Sequence, residues 1–340
     1  ATMTERGNGQ RPLMGSRPGR GGGRPPMEGG MGPGMGGGRP PMGAPGERPA
    51  MEKDNVEKMQ KAAAKKISVT GDMKYAKVEN EVGSTEFVGY LVDCAQAKIL
   101  AAIEGEGYTD IVLDRTPFYA ECGGQVGDSG YIVNENLKAE VLTTFKVNHL
   151  FVHRCQVVNG EVKVGDYAFA QIDSARRAQI RVHHTSAHLL QAALIKVLGD
   201  EVKQAGSQVE DNRMRFDFTF SRAMTPQEVK KTEDIMNKWI GEKLPVNTDV
   251  MGIEEAKLTG ATALFGEKYE DVVRVVSIGG KAKCNCGSDC SCDHESGEEK
   301  EVISKEFCAG THASNTADLR LVKIVSEGAI AAGTRRIEQL

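Results

Sequence analysis

The composition changes sharply near residue 50, and that break decides how much of this 340-residue chain can build a core. Residues 1–50 hold 16 of the 40 glycines, 9 of the 12 prolines and 6 of the 13 methionines, and Gly-Arg-Pro-Pro-Met occurs at 23–27 and again at 38–42. Such a segment buries too little apolar surface to offset the entropy of ordering it, so residues 1–52 read as a disordered Gly/Pro/Met/Arg-rich tail. Seven arginines against three glutamates give residues 1–50 a charge of +4; taken from the total of −4, this leaves −8 on residues 51–340. An acidic body does not bind nucleic acid non-specifically, so an RNA partner has to be met by a local basic patch. The tail itself reads either as a solubilising linker or as an arm for phosphates or for a larger assembly.

The remaining length suits two folded units. No stretch approaches the ~20 apolar residues of a spanning helix, and no membrane partner is expected. The first thirty residues carry no apolar signal region. Eight clustered cysteines are too few for a disulfide scaffold, which points to a reduced, intracellular protein. The expected location is cytoplasmic, with a mitochondrial or plastid matrix as the alternative. The opening Ala-Thr-Met fits either a tag scar or removal of a presequence.

Past the tail, 53–82 reads as a charged helix or linker. Short strands then begin. Asp110–Leu113 is a compact apolar run, Cys122–Gly130 a Gly-rich turn, and Cys155–Val164 two strand-like arms joined by Asn159-Gly160. These predict a small β-barrel over 83–172. The part from 173 to 340 mixes elements. A helical pattern runs over 173–198 and stops at Gly199. Arg213–Phe220 alternates as a half-buried strand. Thr225-Pro226-Gln227-Glu228 is a capping box ahead of a stripe of Val229, Ile235, Met236, Trp239 and Ile240. Val272–Ile278 and Leu319–Ser326 are further strand candidates. The fold class is therefore α+β, a barrel followed by an α/β unit.

The chemistry rests on two pairs of residues. His184 and His188 are four apart in the 173–198 helix and leave the same face. Cys308 and His312 repeat the spacing much later in the chain. Imidazole and thiolate together suit zinc. A lone histidine pair is more often structural; the thiol-bearing second pair strengthens the metal reading. His183 points about 100° away around the helix and reads as a surface or supporting residue.

These residues carry a resemblance. Arg177–Leu194, with His184-Thr-Ser-Ala-His188-Leu-Leu, is similar to the HxxxH element of the alanyl-tRNA synthetase editing domain and of the free-standing AlaX-type deacylases. Cys308-Ala-Gly-Thr-His312 resembles the family's CxxxH element, and the stretch from Lys323 to Glu338 resembles the segment C-terminal to it. Leu113 to Asp128, with Thr116-Pro-Phe-Tyr and Gly-Gly-Gln125, resembles a segment of the family's barrel, and Leu264-Phe-Gly-Glu-Lys-Tyr269 fits between. The resemblance implies an α/β zinc-binding editing unit after the barrel, with the tRNA 3′ end entering the cleft between them. It implies zinc on His184, His188, Cys308 and His312, Thr116 reading a seryl hydroxyl, and Gln125 lining the same pocket. Arg177 and Arg181 before the first histidine, and Arg335 and Arg336 after the second pair, are the candidate tRNA-binding groups; ordinary salt bridges on an acidic body are the competing reading.

The expected activity is zinc-dependent hydrolysis, in trans, of Ser-tRNA(Ala) or Gly-tRNA(Ala), with no aminoacylation. The alternative is a catalytically reduced homologue serving as a structural or RNA-binding subunit of a larger assembly, organellar or otherwise. A fragment of a full synthetase is a third reading, in which the Gly-Arg-Pro-Pro-Met tail has no place. The chain departs from the family pattern in three further respects. Cys122 stands where serine is usual, the chain ends without the synthetase's C-terminal parts, and Lys281–Lys300 carries an insertion. In that insertion Cys284, Cys286, Cys290 and Cys292 could hold a second zinc or could form an inert loop.

Overall fold

A computed structural model describes residues 72–263, 269–282 and 299–340, all within one compact unit. The tail, the 53–71 part of the charged segment and the Cys284–Cys292 insertion lie outside the described residues. The first described element is helix α1, Asp72–Val82, followed by strand β1, Glu86–Phe87. Six of the next strands close a barrel: β2 Cys94–Glu104, β3 Thr109–Leu113, β5 Gly130–Asn134, β6 Leu137–Val147, β7 Leu150–Gly160 and β8 Tyr167–Ile172, in the order β2-β3-β7-β6-β5-β8. The short β4, Arg115–Thr116, pairs in parallel with β1 outside this ring. Ile99, Ile111, Leu113, Ile132, Val141 and Ala170 fill the barrel.

The Asn159-Gly160 step does not turn the chain. Strand β7 runs through it, and the hairpin falls earlier, at Asn148-His149, where Asn148 takes a φ of 52°. Gly160, at φ 82°, lies so close to Asn136 that a Cβ would stand 1.7 Å from its carbonyl oxygen. Glycine is used there for close approach, not for reversal.

The second half is layered helix on sheet. Helix α2, Ser174–Leu198, is capped by the Asp173 carboxylate, which accepts from the Arg176 N–H at 3.0 Å, and it ends at Gly199. Strands β9 Gln204–Val209 and β10 Met214–Thr219 come next, and β10 buries Met214, Phe216 and Phe218 on alternate positions. Helix α3, Pro226–Gly241, has the full capping box, with Thr225 and Glu228 bonded reciprocally. Beyond it lie β11 Val246–Gly252, α4 Ile253–Leu258, β12 Val272–Gly280 and β13 Lys300–Phe307; the three strands form one sheet with β12 in the middle. A 3₁₀ turn at Thr316–Leu319 precedes β14 Ile324–Ala331 and β15 Thr334–Gln339. The strand expected from Leu319 thus starts at Ile324, because Asn315 caps a 3₁₀ turn there by accepting from the Ala317 N–H. The other sheet has the order β14-β15-β10-β9. Leu189, Leu190, Phe216, Met236, Trp239 and Ile337 share the core between helices and sheets. The α+β expectation holds.

Barrel and α/β half are tied by polar groups. Gly124 O accepts from Val209 N–H at 2.7 Å, and Val126 N–H donates to Val209 O at 3.1 Å. Arg177, fully buried, holds both oxygens of Asp128 and donates to the carbonyls of Gly89 and Pro117 at 2.8 and 2.9 Å. Among the described residues no helix is long and apolar enough to cross a membrane.

Candidate metal centre

Helix α2 carries His184 and His188 on its buried face, with ring centroids 5.5 Å apart. The second pair is not helical. Cys308 is the first residue after β13, and His312 lies four along an irregular loop. Packing of that loop on α2 brings one donor atom from each of His184, His188, Cys308 and His312 within 4.8 Å of every other. The Cys308 sulfur stands 3.5 Å from His184 Nε2 and 3.3 Å from His312 Nε2. The edges of a tetrahedron with zinc–nitrogen and zinc–sulfur bonds measure roughly 3.4–3.8 Å, so the two sulfur–nitrogen contacts match that ion and the donor types suit it.

The outward nitrogens support the same reading, because each faces an acceptor. His184 Nδ1–H donates to Gln125 Oε1 at 2.8 Å, which leaves Nε2 for the centre. His312 Nδ1 is 3.2 Å from Thr185 Oγ1, which also accepts from the Ala313 N–H at 3.1 Å. His188 Nδ1 is buried without a hydrogen bond, and its facing group is the Glu306 carboxylate at 3.5 Å. Ser304 donates to the other Glu306 oxygen at 2.8 Å and fixes it.

The electrostatics sort the four groups. Burial pushes the Cys308 thiol up, but the His184 and His312 rings beside it prevail and hold it well below its ordinary value, favouring thiolate. Burial pulls His188 down, yet Glu306 and Cys308 raise it to about 9. His312 is held well below the usual range, by burial first and by His184 next. Gly310 lets the loop close: a Cβ there would stand 2.0 Å from His184 Cε1 and 2.3 Å from its Nδ1.

A cleft of about 770 Å³ opens beside the cluster, with Tyr90, Arg181, His183, Arg274, Thr311 and His312 among its lining. His183 donates from Nδ1 to the Glu210 carbonyl at 2.7 Å, so its outer nitrogen is the one left to solvent. Arg181 faces Asp93 at 3.8 Å.

Several expected site residues do other work. Thr116 is fully buried; its hydroxyl donates to His153 Nε2 at 2.7 Å and accepts from the Phe118 N–H at 3.1 Å. His153 Nδ1–H is bonded to Ile111 O at 2.8 Å, which fixes the tautomer. Thr116 therefore spends its hydroxyl inside the protein, and it is not among the residues lining the cleft. Gln125 is fully buried too and does not line the cleft itself; its amide oxygen accepts from His184 Nδ1–H and from the N–H of Thr311, which does. Arg177 offers no surface for a phosphate. Arg335 is paired with Glu327 at 2.6 Å and Arg336 with Asp217 at 2.6 Å, both on the four-stranded sheet rather than in the cleft. Of the four arginines, Arg181 alone lines the cleft. Sequence reasoning missed Thr185, Glu306, Thr311, Tyr90 and Arg274. The one available signal was adjacency, with Thr185 beside His184 and Glu306 two before Cys308.

Residues 273–338 match the threonyl and alanyl tRNA synthetase second additional domain, and residues 42–176 match the class II (A) tRNA synthetases. The chain is thus a class II synthetase relative that carries the second additional domain. Its relatives make the assignment particular. It is 42% identical over 287 residues to an alanine–tRNA ligase of Synechococcus sp. (strain JA-3-3Ab), covering 82% of this chain and 30% of that one. It is 43% identical, with the same coverage, to an alanine–tRNA ligase of Acetivibrio thermocellus. The protein is related to the alanyl-tRNA synthetases through an editing-domain-like region, and it spans about 30% of the length of the curated relatives it matches.

Proposed function

We propose that this chain hydrolyses the ester of a mischarged alanine tRNA, Ser-tRNA(Ala) or Gly-tRNA(Ala), in trans and with zinc. The observation that carries the reading is the His184, His188, Cys308 and His312 cluster beside an open cleft. Bound to these four residues, zinc would supply a Lewis acid for an ester carbonyl or lower the pKa of a water. The chain's own residues do the rest. Gln125 and Thr185 bond the outer nitrogens of His184 and His312, and the Glu306 carboxylate faces that of His188. Arg181, on the cleft wall, is placed to meet a phosphate of the incoming 3′ end. The ester of an aminoacyl-tRNA is already activated, so holding it in place supplies much of the rate.

The test is deacylation of Ser-tRNA(Ala) and Gly-tRNA(Ala) by the full chain, before and after chelation and on return of zinc. Loss on chelation with recovery on zinc supports the reading. A zinc-free protein that remains fully active, or a zinc-loaded one that spares both substrates, refutes it. A second zinc at Cys284, Cys286, Cys290 and Cys292 would appear in the same metal analysis as two equivalents per chain.

A further inference from the structure

Between Cys308 and His312 the backbone adopts no regular element, so its carbonyls have to be satisfied by other means. Two side chains satisfy three consecutive ones. The Arg274 guanidinium donates to the carbonyls of Cys308 at 3.2 Å and Gly310 at 2.6 Å. The Tyr90 hydroxyl donates to the carbonyl between them, that of Ala309. The two side chains also lie on each other, with the guanidinium carbon 4.2 Å from the centre of the Tyr90 ring. Arg274 is itself anchored, by Thr248 Oγ1 at 3.1 Å, and its own carbonyl accepts from the Cys308 N–H at 2.9 Å. Tyr90 comes from the loop after β1 on the barrel side and Arg274 from β12, so the pair closes over the loop from two directions.

We infer that Tyr90 and Arg274 form a clasp that positions the metal-binding loop; the inference rests on the zinc reading of the cluster. The mutual placement of Cys308 Sγ and His312 Nε2 depends on the four peptide units between them, and the bonded carbonyls belong to the first three. Freeing any of their carbonyls lets a unit rotate and carries a ligand off its site. The clasp holds those units before an ion arrives, so the ordering cost is not taken from the binding energy. Neither residue is a ligand; both are positioning residues. Groups that orient metal ligands change affinity typically 10–100-fold when removed.

The experiment measures zinc affinity of the full chain by competition with a chromophoric chelator, for wild type, Tyr90→Phe, Arg274→Gln and Arg274→Lys. Tyr90→Phe removes one hydroxyl from a side chain that is 40% exposed, so folding is not in question. It is expected to weaken zinc about tenfold while the melting temperature of the metal-stripped protein stays put. Arg274→Gln is expected to weaken zinc by about 30- to 100-fold, and Arg274→Lys to recover part of that by restoring one charged donor. Wild-type zinc affinity in both Tyr90→Phe and Arg274→Gln overturns the clasp. A wild-type chain that binds no zinc overturns the clasp and the metal reading together. The expected affinity series in a chain that hydrolyses no aminoacyl-tRNA leaves the clasp standing and removes the deacylase.

Discussion

The barrel and the α/β half both build the candidate metal centre, but they contribute different things. Every donor comes from the α/β half: two histidines from one helix, and a cysteine and a histidine from the loop after β13. The barrel side gives no ligand. It gives Gln125, whose carbonyl oxygen accepts from both His184 Nδ1–H and the Thr311 N–H, and Tyr90, which holds Ala309. Donors near one another in sequence make a site that could exist; acceptors delivered from another layer make it one particular site. The division also explains why the two halves are locked by Arg177. A small slide of the barrel would carry Gln125 off His184.

The largest expected effect is loss of a donor. Cys308→Ala removes the thiolate and is expected to lower zinc affinity by several orders of magnitude, since apparent binding free energies of structural zinc sites are of order 10 kcal/mol. Metal analysis after dialysis should find the cluster empty. Full retention of one zinc by Cys308→Ala, with the Cys284–Cys292 residues replaced as well, would dissolve the four-donor assignment.

Next in size is loss of the barrel's acceptor. Gln125→Ala leaves all four donors in place and frees His184 to turn. A 10- to 100-fold drop in zinc affinity is expected, at most a few kcal/mol and well short of Cys308→Ala. Gln125→Glu keeps an acceptor for the imidazole and should recover part of it, although Thr311 Oγ1 then has to donate where it now accepts from the Gln125 amide at 2.9 Å. An equal loss in Gln125→Ala and Cys308→Ala would break the distinction between donor side and acceptor side.

The same division separates the parts of the molecule legible in the residues from the parts that were not. Both histidines, the helix that holds them and its ends could be read because spacing, a capping Asp173 and Gly199 are local signals. The alternation of Met214, Phe216 and Phe218 was local too. The residues whose surroundings the sequence does not disclose depend on distant partners. Arg177 looks like a surface base next to a site, and only the fold brings Asp128, 49 positions away, onto it. Thr116 looks like a free hydroxyl in a turn, and its partner is 37 positions away in β7. Asn159-Gly160 is a strong turn signal overruled by pairing along β6. The Tyr90–Arg274 clasp joins three segments with no pattern of their own.

Thr116 offers a smaller effect and a pH handle. Burial pulls His153 down to about 4 from the ordinary 6.5, so the folded state holds it neutral while the unfolded state takes up a proton more readily. Its contribution to stability is full above about pH 6.5 and is lost as pH falls toward 4; it is on the order of 3 kcal/mol. Denaturant titrations at pH 7 and pH 4.5 should show that loss in wild type and a flatter response in His153→Asn. Thr116→Val at neutral pH removes the hydroxyl bonds to His153 and Phe118 and should cost about 1–3 kcal/mol. The preference between seryl and alanyl substrates should not move. A tenfold change in that preference with stability intact would return Thr116 to the substrate pocket.

The smallest expected effect comes from the two arginines farthest from this chemistry. Arg335 and Arg336 lie on β15, each locked to a carboxylate on a neighbouring strand, Glu327 on β14 and Asp217 on β10. A bidentate pair in that setting is already satisfied, and releasing it to meet a phosphate would leave Glu327 or Asp217 bare beside the RNA. Arg336→Gln should therefore change stability by about 1 kcal/mol or less, because the pair is partly solvated and screened. Its tRNA affinity should match wild type at both low and moderate salt. Arg181→Gln provides the contrast, since that side chain lines the cleft and meets Asp93 only loosely, at 3.8 Å. If it meets a phosphate, its loss should weaken binding several-fold at low salt and reduce the slope of affinity against salt by about one. Equal losses for Arg181→Gln and Arg336→Gln would mean that the RNA reaches the four-stranded sheet as well as the cleft, and the division between the two faces would have to be withdrawn.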